Sequence, residues 1–239
     1  MPRIYLDIET IPSQQPGARE AAKAGIKPPG NYKKEDTIAA WWAEQGEQAA
    51  EDAYRKQALD AAEGEIVSIA WAMDTNPPAV IVRPLEQDEA VFLEFAFDKM
   101  RTAFDEFERI NSRPEFPEPS YVIGHSIDFD LGFIRRRAWV HNIIPPSFIP
   151  SPAARLGRDY GDTMTMWAGY GQRISLDRLC KALGIPSPKA MGMDGGHVFD
   201  MWQAGEYAQI AEYNMRDVVA TRACWLRMVY EDAVMEDAA

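Results

Sequence analysis

Cysteine and histidine are scarce: the 239 residues hold two of the first, Cys180 and Cys224, and three of the second. The two thiols lie far apart in sequence with no metal-ligand spacing, so they read as small apolar packers in a reducing compartment. No apolar run approaches the roughly 20 residues of a membrane-spanning helix. Met1-Pro2-Arg3 leads directly into an alternating run from Ile4 to Ile8 instead of the apolar core of a secretory leader. A soluble cytoplasmic protein is the expectation. Positive charge is also short, with 25 Lys and Arg against 37 Asp and Glu, a formal net charge of −12. That balance argues against a chain that coats nucleic acid by bulk charge. What is present is 46% hydrophobic residues, enough to bury a core without a disulfide or metal staple. Length favours one large domain over 1–239, with room for an insertion, over two domains.

The charge is unevenly placed. Residues 131–191 hold nine bases (Arg135, Arg136, Arg137, Arg155, Arg158, Arg173, Arg178, Lys181, Lys189) and three acids, a balance of +6 that leaves −18 elsewhere. Such a segment suits an anion-binding face, with Arg135 and Arg136 as candidate substrate contacts, although long basic side chains also solvate loops and helix flanks.

Strict alternation from Arg3 to Thr10 predicts a strand with Tyr5, Asp7 and Glu9 on one face, ended by Pro12 and Pro16-Gly17. Residues 35–62 are rich in Ala, Glu, Gln and Lys and predict helix. The segment 31–62 is too long for an ordinary connection and reads as a helical insertion, which Trp41 and Trp42 anchor to the body or to a partner. Two strands follow, Glu65 to Met73 and Ala79 to Arg83, joined by a turn at Asn76-Pro77-Pro78. Apolar residues at helical spacing from Asp88 to Ile110 (Val91, Phe92, Phe95, Met100, Phe104, Phe107) predict an amphipathic helix. After the Pro-rich stretch 114–119 come a short strand, Tyr121 to Gly124, a helix from about Leu131, and a Pro-rich loop over 142–158. Ser175 caps a short helix that Gly184 and Pro186 end. A Gly-rich loop around Gly192, Gly195 and Gly196 precedes a last helix from about Ile210 to Tyr230, and 236–239 read as frayed. The pattern is a mixed sheet covered by helices.

Three features carry chemistry. Asp7 and Glu9 project from one strand face, where two carboxylates repel by about 3 kcal/mol at an effective dielectric near 20. A divalent cation with a preference for hard oxygen ligands removes that penalty, and so does a solvated sheet face. Gly124-His125-Ser126-Ile127-Asp128-Phe129-Asp130 follows a strand, placing a carboxylate where open α/β sheets bind ligands or where a helix is capped. Asp128 is the rival of Asp130, and Phe129 reads as core. Tyr213 and Asp217 stand four residues apart on one helix face, with Ala220, Thr221 and Cys224 continuing a stripe of small residues suited to close approach to a sheet. A phenol one turn from a carboxylate can hold a water in line with an electrophile, or both can simply bond a neighbouring segment.

Taken in order, Asp-x-Glu, then Asp, then Tyr-x-x-x-Asp resembles the three motifs of the DEDD 3′–5′ exonucleases. The likeness is to the subgroup with Tyr in the third motif, as in stand-alone relatives of the proofreading domain of family B DNA polymerases. The segments are Tyr5-Leu6-Asp7-Ile8-Glu9-Thr10, Gly124 to Leu131, and Tyr213 to Val218, with further likeness at Asp162-Thr163-Met164 and Ser175 to Leu179. His197 lacks a carboxylate at the right spacing and gives way to Tyr213. The resemblance implies an α/β, ribonuclease-H-like mixed sheet flanked by helices, with the helical insertion after the first strand. It implies two Mg²⁺ or Mn²⁺ ions on Asp7, Glu9, Asp130 and Asp217, a water oriented by Tyr213, and contacts to the terminal nucleotide from Thr10 and Ile11. His125 and Ser126 stand at the second motif as candidate backbone-phosphate contacts, although the family's usual Asn is replaced here by Ser126.

The activity so implied is metal-dependent hydrolysis of terminal phosphodiesters at single-stranded or frayed DNA 3′ ends, releasing nucleoside 5′-monophosphates. The alternatives are a 3′–5′ exoribonuclease of the same fold and a non-catalytic exonuclease-like interaction module. The helical insertion is a candidate docking site for a replication or repair protein. An acidic DNA mimic would need carboxylates spaced as phosphates and no metal.

Overall fold

The computed structural model describes residues 2–111, 120–188 and 195–231. The Pro-rich stretch 114–119, Lys189, Gly192 and the tail 236–239 lie outside the described residues. The chain forms two compact units, Met1–Glu9 with Ile66–Ala239, and Thr10–Glu65.

Alternation of β-branched and aromatic residues makes Arg3–Ile11 a strand, β1. It occupies the middle of a five-stranded sheet with β2 (Glu65–Met73), β3 (Ala79–Val82), β4 (Tyr121–Gly124) and β5 (Tyr160–Asp162), in the order β3-β2-β1-β4-β5. β4 runs parallel to both β1 and β5, whereas β2 and β3 are antiparallel, so the sheet is mixed. Tyr5 lies opposite Ile123 and Gly124 opposite Asp162. Parallel pairing therefore brings the carboxyl ends of β1, β4 and β5 to one edge, the edge at which α/β sheets expose ligand sites.

Helices of the larger unit are α3 (Glu89–Asn111), α4 (Ile127–His141), α5 (Thr163–Ala168), α6 (Leu176–Leu183), α7 (Val198–Gln203) and α8 (Tyr207–Met228). α8 crosses the sheet at β3 and β4 and also packs on α6 and α7. Val218 of α8 joins Tyr5, Ala70, Ala72, Tyr121 and Ile123 in one buried cluster. The Tyr5 face of β1 is thus covered by a helix and is not a solvated sheet face. On the other side of α8, Ala220 and Cys224 meet Leu179 and Cys180 of α6. The small-residue stripe accordingly serves a helix–helix contact, not the approach to the sheet expected of it. The two thiols, distant in sequence, lie 3.6 Å apart there, both buried.

A buried ion pair joins α3 to α4. Glu89 accepts from Arg137, from His141 Nε2 at 2.8 Å and from Ile66 N at 2.7 Å. Arg137 is therefore an internal partner and is withdrawn from the basic face.

Several elements differ from expectation. In α3 the buried stripe is Phe92, Leu93, Ala96, Phe97, Met100, Phe104 and Phe107, while Val91 and Phe95 face solvent. One position along a helix turns a side chain by about 100°, which places both just off the stripe. α4 begins at Ile127, four residues before the expected start, because Ser126 adopts the left-handed conformation (φ 61°) that turns β4 into the helix. β5, α5 and α7 are three to six residues long, too short to show a period.

In the smaller unit, α1 (Ala18–Gly25) packs on α2 (Glu35–Lys56) through ion pairs of Arg19 with Glu51 and of Lys23 with Glu47. α1 was not anticipated, whereas α2 covers most of the helix expected over 35–62. Trp41 is buried in α2 and Trp42, at ring-centroid distance 5.0 Å, is partly exposed.

Candidate active site at the carboxyl end of the central strands

Asp7 and Glu9 leave β1 on the face that α8 covers, and Asp217 descends from α8 to meet them. Carboxylate oxygens of Asp7, Glu9 and Asp217 all lie within 4.8 Å of one another. Asp130, in the first turn of α4, stands beside this triplet and accepts Ile8 N at 3.0 Å. The bond ties the α4 carboxylate to the backbone between the two β1 acids. Asp130 is buried, whereas Asp128 is exposed and accepts the Tyr160 hydroxyl at 2.5 Å, so of the two it is Asp130 that stands beside the other acids. Asp130 is not a helix cap; Ser126 holds that place.

Crowding of like charge in a dry setting governs the protonation. Burial, followed by the charges of Asp130, Asp217 and Glu9, pushes the Asp7 carboxyl well above the usual range. Glu9 is raised by burial and then by Asp217 and Asp130. Burial raises Asp130 to about 8 against the pull of the Ile8 N–H. Tyr213 is buried one turn before Asp217 and donates its phenolic hydrogen to that carboxylate. Burial and the Glu9, Asp217 and Asp7 charges hold the phenol protonated far beyond neutral pH.

Two polar residues absent from the sequence reading orient the acids. Asn214 Nδ2 donates to Asp7 Oδ2 at 2.5 Å, and Asn214 Oδ1 accepts from Ser68 Oγ at 2.8 Å. Both Ser68 and Asn214 are completely buried. Their only signal in the sequence is a hydroxyl in the otherwise apolar strand Ile66 to Met73. Asp162, at the end of β5, accepts Ser126 N at 2.9 Å and Met164 N at 2.8 Å, fixing the left-handed Ser126 and the start of α5 together.

The substrate-contact candidates are scattered. Thr10 Oγ1 donates to Ala58 O at 2.6 Å, and Ile11 is completely buried. Both ring nitrogens of His125 are engaged, Nε2 with Ile174 O and Nδ1 with Thr163 Oγ1, each at 2.9 Å, and burial lowers its pKa. His125 therefore pins the 174 segment to the end of β4. Arg135 donates to Pro150 O at 2.9 Å, and exposed Arg136 lies back over Gly132 of its own helix. Phe129, expected in the core, is 37% exposed because the early start of α4 turns it outward. Beside Tyr213 and Asp217 opens a cleft of about 490 Å³ that also touches Ser126, Met164, Arg173 and Arg178. His197 is exposed in the segment whose Gly195 passes by Glu9.

Residues 64–239 match the family described as predicted 3′–5′ exonucleases related to the exonuclease domain of PolB. The chain belongs to that family. Its match starts after the helical segment, so Asp7 and Glu9 lie outside the matched residues, and it is the fold that joins them to the family's part of the chain. A comparison with curated proteins gives no match. Among solved structures, the family B DNA polymerase from the hyperthermophilic archaeon Pyrobaculum calidifontis is similar, with TM-score 0.55 and 13% identity. The similarity covers 96% of this chain and 24% of the polymerase, so the chain spans about a quarter of the polymerase's length. At that identity the likeness shows the fold: an α/β sheet flanked by helices, as in the PolB exonuclease. Among the described residues no helix is long and apolar enough to cross a membrane.

Proposed function

We propose that the chain is a metal-dependent 3′–5′ exonuclease of the Tyr-containing DEDD type, acting on single-stranded or frayed DNA ends and releasing nucleoside 5′-monophosphates. The observation that carries this reading is the convergence of Asp7, Glu9 and Asp217 within 4.8 Å, with Tyr213 bonded to Asp217, in a chain of the exonuclease family. An all-oxygen donor set whose members hold one another partly protonated fits Mg²⁺ or Mn²⁺, since hard cations take carboxylate ligands and relieve their repulsion. Asp7, Glu9, Asp130 and Asp217 would hold two such ions, which supply a lowered pKa for the attacking water and charge neutralisation at the leaving 3′-oxygen.

The remaining work falls to the chain itself. Asn214 fixes the rotamer of Asp7, and Ile8 N fixes that of Asp130. Tyr213 gives its hydrogen to Asp217, leaving a phenolic lone pair to accept from the attacking water and set its direction. The phenol stays neutral throughout, so it orients and does not deprotonate. The helical segment 31–62 is an insertion in a single exonuclease domain over 1–239, a reading supported by the start of the family match at residue 64, just after it. The cellular setting is cytoplasmic and reducing, in keeping with two thiols left free.

A 5′-labelled single-stranded oligonucleotide incubated with Mg²⁺ or Mn²⁺ should shorten from its 3′ end and yield 5′-monophosphates. Asp7→Ala should lower the rate by about a hundredfold or more, as loss of a group that stabilises transition-state charge does. No shortening with either ion, or full activity in Asp7→Ala, overturns the reading.

A further inference from the structure

α5 and the turn after it leave three large side chains in water. Met166 and Trp167 are 48% and 47% exposed, and Tyr170 is 94% exposed. Tyr170 sits at a corner. Gln172 N bonds Gly169 O at 3.2 Å, and Gly171 has φ 77°, the geometry of a type II turn with tyrosine at its second position. Gly169 before it also has a positive φ, at 86°. Two glycines in a conformation that other residues rarely adopt thus hold an aromatic ring out of the fold. A tight turn of this kind presents the ring with little entropy left to lose.

The neighbourhood has a sign. Met164, which touches the cleft beside Tyr213 and Asp217, lies one turn before Trp167 on the same face of α5. Arg173, three residues after Tyr170, and Arg178 of α6 touch the same cleft, and both are exposed. Neither guanidinium has a hydrogen bond or ion pair with a described residue. Of the described acids nearby, Asp162 bonds the Ser126 and Met164 amides, Asp177 bonds Lys181 and Ser187, and Asp217, which lines the same cleft, accepts from Tyr213. Two guanidiniums without an acidic partner among the described residues thus line the cleft, and two exposed rings stand next to it on α5 and the turn that leads to Arg173, in a protein of net charge −12.

We infer that Trp167 and Tyr170 form a stacking platform for the bases upstream of the 3′ terminus, with Arg173 and Arg178 on the intervening phosphates. Successive aromatic faces beside a cationic groove are what an unpaired polynucleotide requires, and stacking reads no sequence because every base has a π-face. Of the possible occupants, two guanidiniums without an acidic partner among the described residues select a polyanion over an apolar partner helix, and a second copy of this chain is disfavoured because both copies carry a net charge of −12. The inference rests on the exonuclease reading for the direction of the strand, but binding can be measured without turnover.

The experiment is fluorescence anisotropy of labelled dT8, rU8 and dT2 with the full chain in EDTA, at several salt concentrations. The wild type should bind dT8 and rU8 better than dT2. Tyr170→Ala and Trp167→Ala should each weaken octamer binding by roughly tenfold and abolish much of the gain over dT2. Tyr170→Phe, which keeps the ring, should bind as the wild type does. Arg173→Gln with Arg178→Gln should reduce the slope of log affinity against log salt by about 1.4, at about 0.7 per phosphate contact on a single strand. At 94% exposure Tyr170 can be replaced without loss of fold, and circular dichroism of each variant checks this. Octamer binding unchanged in both alanine variants, no wild-type binding to either octamer, or self-association lost with Tyr170 in its place overturns the inference. A chain that binds through Tyr170 and cleaves nothing removes the proposed activity and leaves the platform; one that cleaves without any need of Tyr170 does the reverse.

Discussion

Asn214 is uncharged, yet it is the residue that steadies the acid most exposed to its neighbours' repulsion. Its amide offsets part of the burial and like-charge penalty on Asp7, and Ser68 orients the amide in turn. Ligand-orienting partners of this kind commonly change metal affinity by about 10- to 100-fold. Asn214→Leu should therefore weaken Mn²⁺ binding by that factor in calorimetry, with the fold retained because leucine fills a similar volume. Unchanged affinity would remove the orienting role. Asp7 and Glu9 were legible in the sequence because strand alternation places them on one face without any knowledge of the rest. Asn214 was not, since a polar residue in a helix has the same appearance whether it faces water or a buried carboxylate. Asp130 needed the structure as well: Asp128 and Asp130 are both in the first turn of α4, and only burial and the bond from Ile8 N distinguish them.

Elements were legible where a local pattern marked them, whatever their length. β1, β2, β4 and α6 stand where alternation, turn residues and a Ser cap put them, and Ser175 Oγ does accept from Arg178 N. β5 has three residues, and it exists because of what lies on either side of it. A Cβ built on Gly161 would fall 2.6 Å from the Trp225 ring and 2.9 Å from that of Tyr121, so α8 and β4 close over this strand only where a side chain is missing. Gly161→Ala should overpack that contact and lower stability by about 1–3 kcal/mol, read as a fall in melting temperature. Trp225→Leu in the same chain should recover part of the loss, the coupling expected of touching residues. Strictly additive losses would show that the two do not meet. Because β5 ends in Asp162, which bonds both the Ser126 amide and the first turn of α5, a loosened β5 should also disturb the turn from β4 into α4.

Across the molecule, the net charge of −12 conceals a division of labour. Of the cationic segment 131–191, Arg137 is buried against Glu89, Arg158 and Lys181 pair with Asp159 and Asp177, and Arg135 holds the Pro150 carbonyl. Of the other described bases, Arg136 and Arg155 lie away from the cleft lining, and Arg173 and Arg178 are the two that border it. The acids, in contrast, concentrate where they are least comfortable, and this has a consequence for stability. Asp130 has an ordinary pKa of 3.8 in the unfolded chain and about 8 in the fold. Between these values the folded state keeps a proton that the unfolded state has released, so the slope of unfolding free energy against pH is negative. Stability from this group is complete below pH about 4 and is lost as pH rises through about 8. Denaturation of the protein in EDTA across pH 4–8 should show that decline, and Asp130→Asn, which cannot release a proton, should flatten it. Added Mn²⁺ should oppose the decline most strongly near pH 8, because a bound cation favours the ionised carboxylates that the fold otherwise penalises. An identical decline in wild type and Asp130→Asn would show that the Asp130 carboxyl is ionised in the fold, and that the cluster is neutralised in some way other than by holding its protons.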